Sequence, residues 1–289
     1  MIELTMVADN YPHILPLKDG RVSSDLVKLK FVEYKRVADA FDTQVENQTY
    51  DICEIAAATF FQALDFKKPL RLLPFVCLGS FHHRSVWYDP DRGVVTPEDL
   101  RGARVAVKAY TQTTGVWCRG ALEEQFNIKP EEITWVTTEA PHAAEYVNPV
   151  NVIRAAEGLK PIDLVRNGDC IAVVLLPKLA EGTNLKSVIP NVTEAEKIWY
   201  ERHRAVPINH MLCIKNEVLE QHPEAAREVF RMLKESYKIA LNAGELSPAI
   251  RIGAENMWHT LDVCMGYCVS QKLITRKFKF EELFAPVED

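Results

Sequence analysis

The sequence has no excess of positive charge and no apolar run long enough to cross a membrane. Lysine and arginine total 34 against 40 aspartate and glutamate residues, which gives a formal net charge of −6 at pH 7. Such a chain would repel a phosphate backbone. The uninterrupted apolar run Ile171–Pro177, which no other run exceeds by more than a residue or so, is far below the roughly 18 residues that span a bilayer. We therefore expect neither a nucleic acid nor a membrane as a partner.

The sequence also lacks paired cysteines and a leader-like N-terminus. Its seven cysteines are an odd number, and no two of them form a CxxC pair. An odd, scattered set is typical of reduced thiols rather than of a disulfide framework. No lysine or arginine precedes the first apolar stretch, and Asp9 interrupts that stretch before a signal-peptide core could form. The sequence thus predicts a soluble, cytoplasmic protein.

The motifs that hold phosphates, metals or an activated serine are missing as well. There is no GxGxxG or P-loop glycine pattern, no HExxH pair and no GxSxG elbow. His82 and His83 are adjacent, so on a strand they would point to opposite faces and make a poor chelating pair. We expect no metal site and no cofactor.

What the sequence does contain is an alternation of strand-length and helix-length segments. The chain has 289 residues, of which 47% are hydrophobic and 26% charged. Runs typical of strands occur first at Ile2–Val7, Leu29–Tyr34, Asp51–Ile55 and Leu70–Cys77, and then at Arg104–Val107, Ile133–Val136 and Cys170–Leu176. The last of these is apolar throughout, which favours a place in the middle of a sheet. Short strands separated by helix-length segments favour parallel pairing with crossover helices.

The C-terminal part returns to one more strand and then continues as helices. A strand-like stretch, Ala205–Lys215, precedes a helix that begins near His222, and the apolar spacing of this helix predicts that Leu241 is buried. A helical tail after the second lobe would pack most economically against the first.

The order of these segments predicts an α/β protein of two lobes. Each lobe is expected to be a mostly parallel sheet flanked by helices, with a cleft between the lobes. Residues 1–88 and 204–289 form the first lobe, which is discontinuous, and residues 89–203 form the second. Ligands of open α/β sheets bind at the carboxyl ends of the strands, so residues that follow strands are the candidates for a site.

Several polar residues stand at such positions. They are Tyr11, His13, Glu54, His83, Arg84, Thr113 and Thr114, and they are joined by Asn209 and His210 on the return crossover between the lobes. Some have equally good structural interpretations: Glu54 could end its strand facing water, and His210 could be a histidine satisfied within the core. His83 and Arg84 belong to a basic triplet close to aromatic residues, which favours ligand contact.

Thr113 and Thr114 precede a segment with helical spacing. A helix N-terminus presents free backbone N–H groups and about half a positive charge, and hydroxyl groups add further donors. This position is therefore predicted to bind a carboxylate, although one threonine could also simply cap the helix.

Together, several short stretches resemble one family. They are Asp51–Glu54 (DICE), Phe81–His83 (FHH), Tyr110–Gly120 (YTQTTGVWCRG), Ile133–Trp135 (ITW) and Val206–His210 (VPINH). The chain resembles the 4,5-dihydroxyphthalate decarboxylases over roughly residues 1–245. That family is similar in fold to the type II periplasmic binding proteins.

The resemblance implies a decarboxylase that converts 4,5-dihydroxyphthalate to protocatechuate and CO2 without a cofactor, and a small aromatic carboxylate as its partner. On this hypothesis the catalytic residues are Glu54, His83 and His210. Glu54 or a neighbouring histidine would take a phenolic proton, and His83 or His210 would deliver a proton to carbon. The substrate-binding residues would be Tyr11, His13, Arg84, Thr113, Thr114, Trp117 and Asn209.

Other functions remain open at this point. The same two lobes could belong to a non-catalytic solute-binding protein or a sensor for a small aromatic carboxylate. They could also belong to another enzyme of this fold, such as a menaquinone-pathway enzyme or a pyrimidine-precursor synthase. The sequence leaves open whether the chain forms a homo-oligomer.

Overall fold

A computed structural model describes residues 1–288 of the chain. The strands are β1 (Ile2–Val7), β2 (Val27–Phe31), β3 (Ile52–Ala56), β4 (Leu70–Gly79), β5 (Val86–Tyr88), β6 (Arg104–Val107), β7 (Thr134–Thr137), β8 (Val152–Arg154), β9 (Ala172–Val174), β10 (Lys186–Ser187) and β11 (Ile208–Lys215). The α-helices are α1 (Leu15–Lys18), α2 (Phe41–Asn47), α3 (Ala57–Asp65), α4 (Thr113–Phe126), α5 (Pro161–Asn167), α6 (Pro177–Ala180), α7 (Val192–His203), α8 (Asn216–Gln221), α9 (Pro223–Asn242), α10 (Ala254–Ser270) and α11 (Phe280–Leu283).

These elements form two units. Of the described residues, the first contains 1–80, 208–265 and 274–288, and the second contains 81–207 and 266–273. Within residues 1–288, none of the helices combines the length and the apolar character that a membrane crossing requires. All seven cysteines are buried and free.

The first unit is built on a five-stranded sheet of order β2-β1-β3-β11-β4. β1 runs parallel to both β2 and β3, whereas β11 runs antiparallel to both β3 and β4. The sheet is therefore mixed, because the strand that returns late in the chain inserts between two earlier ones. Its insertion places the start of β11 beside the end of β3.

The core of the first unit lies between this sheet and α9. Along α9 the residues Val229, Phe230 and Leu233 are at most 1% exposed, as their helical spacing requires. The prediction that Leu241 is buried was wrong, because this residue of the last turn is 51% exposed. The spacing of apolar residues shows which face of a helix is buried. It does not show how far along the helix the neighbouring elements cover that face.

The second unit is built on a six-stranded sheet of order β10-β5-β9-β6-β7-β8. The strands β9, β6, β7 and β8 are parallel. At one side β5 runs antiparallel to β9, and β10 runs antiparallel to β5. β9 lies in the interior of the sheet, as its apolar sequence predicts. Its three residues are at most 1% exposed.

Candidate functional site

The register of β3 and β11 brings Glu54 and His210 together. In this antiparallel pair Leu212 is opposite Glu54, and His210 is opposite Ala56. Opposite residues of a sheet share a face, and so do residues two apart on one strand. Glu54 and His210 are therefore diagonal neighbours on one face, although 156 residues of sequence separate them.

Glu54 is a completely buried carboxylate held by three hydrogen-bond donors. Its Oε1 accepts a hydrogen bond of 2.8 Å from the Tyr11 hydroxyl and one of 2.7 Å from His210 Nδ1. Its Oε2 accepts a hydrogen bond of 2.9 Å from the backbone N–H of Asp9. A buried carboxylate is tolerated when charge-assisted hydrogen bonds replace its hydration, and this one has them on both oxygens. Its side chain is 0% exposed, which keeps it from direct contact with a ligand.

His210 is oriented by that carboxylate. An ionised carboxylate can only accept hydrogen bonds, so the proton between the two groups is assigned to His210 Nδ1. Nε2 is then the nitrogen left to exchange a proton. The His210 side chain is 18% exposed, and the ring of Phe41 packs against it edge-on at 5.3 Å. This arrangement is that of a histidine general acid or base with a carboxylate behind it.

Tyr11 is the third member of the group. It follows β1, whose end pairs with β3 at Val7 and Cys53. Burial, reinforced by the negative charge of Glu54, raises the pKa of the Tyr11 phenol far above its usual range. Tyr11 therefore remains protonated and donates its hydrogen to Glu54.

His13 lies against Tyr11. Its ring stacks on Tyr11 at 5.5 Å and contacts Phe75 at 5.3 Å. It is 2% exposed, and burial lowers its pKa to about 4. His13 is thus neutral at pH 7, and its buried ring packs against that of Tyr11. Asn209, the neighbour of His210 on β11, is also buried.

The remaining predicted site residues belong to the second unit. His83 is buried in an aromatic environment, with its ring centroid 6.4 Å from that of Trp199 and 6.3 Å from that of Phe81. Burial lowers its pKa to about 4, against the opposing effect of the Gln125 side chain. Arg84 follows in the same short turn, is exposed and lines an open surface cavity of about 700 Å³.

A helix was expected directly after Thr113 and Thr114, and the structure has both as the first two residues of α4, where they are buried. The N-cap residue is Gln112, so neither threonine caps the helix. Trp117 lies one turn further along. It packs edge-on against Trp199 at 5.9 Å and against Tyr267 at 5.7 Å, so its ring is part of the core of the unit.

A second histidine–carboxylate pair lies in this unit and was not predicted. His203 Nε2 lies 2.6 Å from Glu124 Oε2, and the His203 ring packs against that of Trp199 at a centroid distance of 4.4 Å, with the two planes tilted by 32°. The two residues are 79 positions apart on α7 and α4, and no local sequence signal connects them.

The structure therefore groups Tyr11, His13, Glu54 and His210 in the first unit, and holds His83, Arg84, Thr113, Thr114 and Trp117 in the second. Within residues 1–288 there is no cluster of three or more His, Cys, Asp or Glu side chains that could hold a metal ion.

Sequence comparison found two curated relatives that carry the same name. The chain is 26% identical over 320 residues to a 4,5-dihydroxyphthalate decarboxylase of Comamonas testosteroni, covering 99% of this chain and 97% of that protein. It is 32% identical over 136 residues to a 4,5-dihydroxyphthalate decarboxylase of Pseudomonas putida, covering 47% of this chain and 52% of that protein. No family model matches the chain.

Structure comparison identifies the fold. The periplasmic aliphatic sulphonate-binding protein SsuA of Escherichia coli superimposes with a TM-score of 0.59 at 12% identity, over 99% of this chain and 98% of that one. The desulfurization enzyme DSZB superimposes with a TM-score of 0.55 at 12% identity, over 99% and 97%. The chain has the α/β fold of the type II periplasmic binding proteins, as predicted. At such low identity the likeness concerns the fold alone.

Proposed function

We propose that the chain is a carboxy-lyase that removes CO2 from a hydroxylated aromatic dicarboxylate of the 4,5-dihydroxyphthalate type. The names of the two curated relatives support a decarboxylase, and one of those relatives matches along almost the whole chain. The observation that carries the proposal is the hydrogen-bonded group of Tyr11, Glu54 and His210. It provides a histidine that is fixed in orientation and able to exchange a proton.

The chemistry of the substrate explains why a proton carrier is needed. Direct loss of CO2 from a benzoate would leave an aryl anion, which is too unstable. In 4,5-dihydroxyphthalate each carboxylate is para to a hydroxyl group. When that hydroxyl loses its proton, the phenolate pushes electrons into the ring, and the carbon bearing the carboxylate takes up a proton. The bond to the carboxylate then breaks, CO2 leaves, its electron pair restores the aromatic ring, and the phenolate is reprotonated.

We assign the proton transfers to His210. An imidazole ring has two nitrogens, so it can take up a proton on one of them and give it back while the other keeps its own. The buried Glu54 acts as a positioning residue, because it fixes the Nδ1 proton and stabilises the charged ring, and Tyr11 holds Glu54. His83 is the weaker candidate, since burial keeps it neutral at pH 7 and no carboxylate of the described residues is hydrogen-bonded to its ring.

The second unit is proposed to bind a carboxylate. Thr113 and Thr114 stand in the first turn of α4, where backbone N–H groups have no acceptors within the helix. Arg84 is proposed to attract the dianion from its exposed position.

We expect the reaction to proceed without a cofactor. We also propose that the protein works in the cytoplasm.

A solute-binding protein is the second candidate function, and the specific observation in its favour is the similarity to SsuA. The two candidates differ in whether the bound diacid is consumed. A binding protein would be stabilised by the diacid and would release no CO2.

The test is CO2 release from 4,5-dihydroxyphthalate by the purified protein, with protocatechuate followed by chromatography. His210→Asn is the informative variant, because the asparagine amide can still donate to Glu54 but the second ring nitrogen is gone. We expect its turnover number to fall by about 10²–10⁴-fold, the usual contribution of a general acid or base, with little change in melting temperature. His83→Asn is the matched control and should retain turnover.

Stabilisation of the wild-type protein by the diacid without CO2 release would favour the binding protein and reject the decarboxylase. If His210→Asn kept the wild-type rate, the proton transfers would have to be reassigned.

A further inference from the structure

Arg119 is a buried cation without a counter-charge. It lies on α4, is 1% exposed, and forms no ion pair with any carboxylate of residues 1–288. Its Nε donates a hydrogen bond of 2.6 Å to Gln271 Oε1, and its Nη2 donates one of 2.6 Å to the carbonyl oxygen of Tyr110. The guanidinium lies 4.0 Å from the ring centroid of Tyr110 and 5.1 Å from that of Trp135. All of these partners are neutral, so they hold the group without cancelling its charge.

The guanidinium is directed at the first turn of α4. Side chains of a helix point towards its N-terminus, and Gly115 stands four positions before Arg119 on the same face of the helix. A Cβ atom on Gly115 would lie 3.0 Å from Arg119 Nη1, so a glycine at this position leaves room for the cation. Among residues 1–288, Nη1 itself has no hydrogen-bond partner.

Two independent sources of positive potential therefore meet at one place. The first is the set of backbone N–H groups at the start of a 14-residue helix. The second is a full charge held in a medium of low polarity, where its field is screened much less than in water. An unpaired buried charge is strongly destabilising, so its presence indicates that an anion compensates it in the working protein.

We propose that Arg119 is a positioning residue that provides the charge behind a carboxylate-binding site at the N-terminus of α4. The proposal rests on the proposed function for the identity of the anion, which is a carboxylate of an aromatic dicarboxylate. Arg119 does not touch the anion. Its charge strengthens the binding of the carboxylate to Thr113, Thr114 and their backbone N–H groups. It thereby raises the affinity for a dianion relative to that for a neutral phenol.

Gln271 allows the charge to be cancelled without removing the arginine. Gln271→Glu places a carboxylate within hydrogen-bond distance of Arg119 Nε. Gln271→Leu removes the same acceptor and adds no charge, so it is the matched control. The probe is phthalate, which carries both carboxylates and no hydroxyl group, and its dissociation constant is measured by calorimetry. Catechol, which has hydroxyls and no carboxylates, serves as the neutral ligand.

We expect Gln271→Glu to weaken phthalate binding by about tenfold or more, the usual scale for a lost charge interaction at a binding site. The KM for the substrate should rise in parallel, while kcat changes little. Gln271→Leu should lower the melting temperature but leave the dissociation constant within about threefold of wild type, since the charge of Arg119 remains. Arg119→Lys should retain more affinity than Arg119→Met for the same reason.

A purely structural role for Arg119 would give the opposite pattern, in which the loss of affinity follows the loss of stability in every variant. The proposal is overturned if folded Gln271→Glu binds phthalate as tightly as wild type, or if the wild-type protein binds no phthalate. Should Gln271→Glu fail to fold, equal affinity in Arg119→Lys and Arg119→Met would overturn it as well. If phthalate binds as expected but no CO2 is released from the substrate, the proposed decarboxylase activity is rejected. The proposed role of Arg119 in anion binding is then retained.

Discussion

Two buried histidines, one in each unit, are expected to make the folded protein sensitive to acid. Burial lowers the pKa of His13 from 6.5 to about 4, and that of His83 likewise. At a pH between these two pKa values, each histidine binds a proton in the unfolded chain and none in the folded chain. The free energy of unfolding therefore decreases as the pH falls from 6.5 towards 4. A pH of 5 is about 1.5 units below the pKa of a histidine in the unfolded chain. Each histidine then lowers the free energy of unfolding by about 2 kcal/mol relative to pH 7.

His13→Phe tests this reasoning. It keeps an aromatic ring between Tyr11 and Phe75 and removes the titrating group. Guanidinium denaturation at pH 7 and at pH 5 gives the loss of stability on acidification, which should be about 2 kcal/mol smaller in the variant than in the wild type. Any cost of packing the phenylalanine is present at both pH values and cancels in the comparison. His83→Phe is the matched variant in the second unit, and the two effects should add.

Equal losses of stability in the wild type and in His13→Phe would refute the neutral, buried state of this histidine. A nuclear magnetic resonance titration that found the His13 ring with a pKa near 6.5 in the folded protein would refute it directly.

Two further substitutions probe contacts within single units. Tyr11→Phe removes one of the three donors to the buried Glu54 carboxylate, and we expect it to lower the free energy of unfolding by about 1.5–3 kcal/mol, the range for hydrogen bonds to charged groups. Denaturation at pH 7 measures it, and an unchanged midpoint would mean that the hydroxyl does not hold Glu54. Gly120→Ala would place a Cβ atom 2.5 Å from the ring of Tyr267, so overpacking should cost about 1–3 kcal/mol. An unchanged melting temperature would show that the ring can move aside.

The sequence allowed the strand and helix segments to be predicted because their signals are local. The spacing of apolar residues identified β1, β4 and β6 almost to the residue. A helix was also expected directly after Thr113 and Thr114, and these two residues are in fact its first two. The end of α9 was not predictable in the same way, because the exposure of Leu241 depends on which elements lie beside the last turn.

The candidate residues of the first unit were found individually, but their roles depend on a long-range pairing. Glu54 was predicted from its position at the end of a strand, and His210 from its position on the return crossover between the lobes. That they form a hydrogen-bonded pair follows from the insertion of β11 beside β3, and no periodicity within either segment contains this information. The complete burial of Glu54 changes its proposed part from base to positioning residue.

The sequence also could not show which of the residues that follow a strand are buried and which are exposed. His83 and Arg84 are neighbours in one turn, yet the first is buried among aromatic rings and the second is exposed. The rings that surround His83 include Trp199, which comes from α7, more than 100 residues away. Burial of this kind is a property of the assembled unit.

The position of β11 has a consequence for the order in which the protein folds. During synthesis the ribosome makes β3 and β4 long before β11, and β4 has β11 as its neighbour in the sheet. Until about residue 215 has left the ribosome, β4 presents an unpaired edge, which is a surface prone to aggregation. The continuous stretch 81–207 has most of its own contacts available earlier. We therefore expect the part of the chain made first to complete its structure last, and nascent chains that stop before β11 to depend on chaperones.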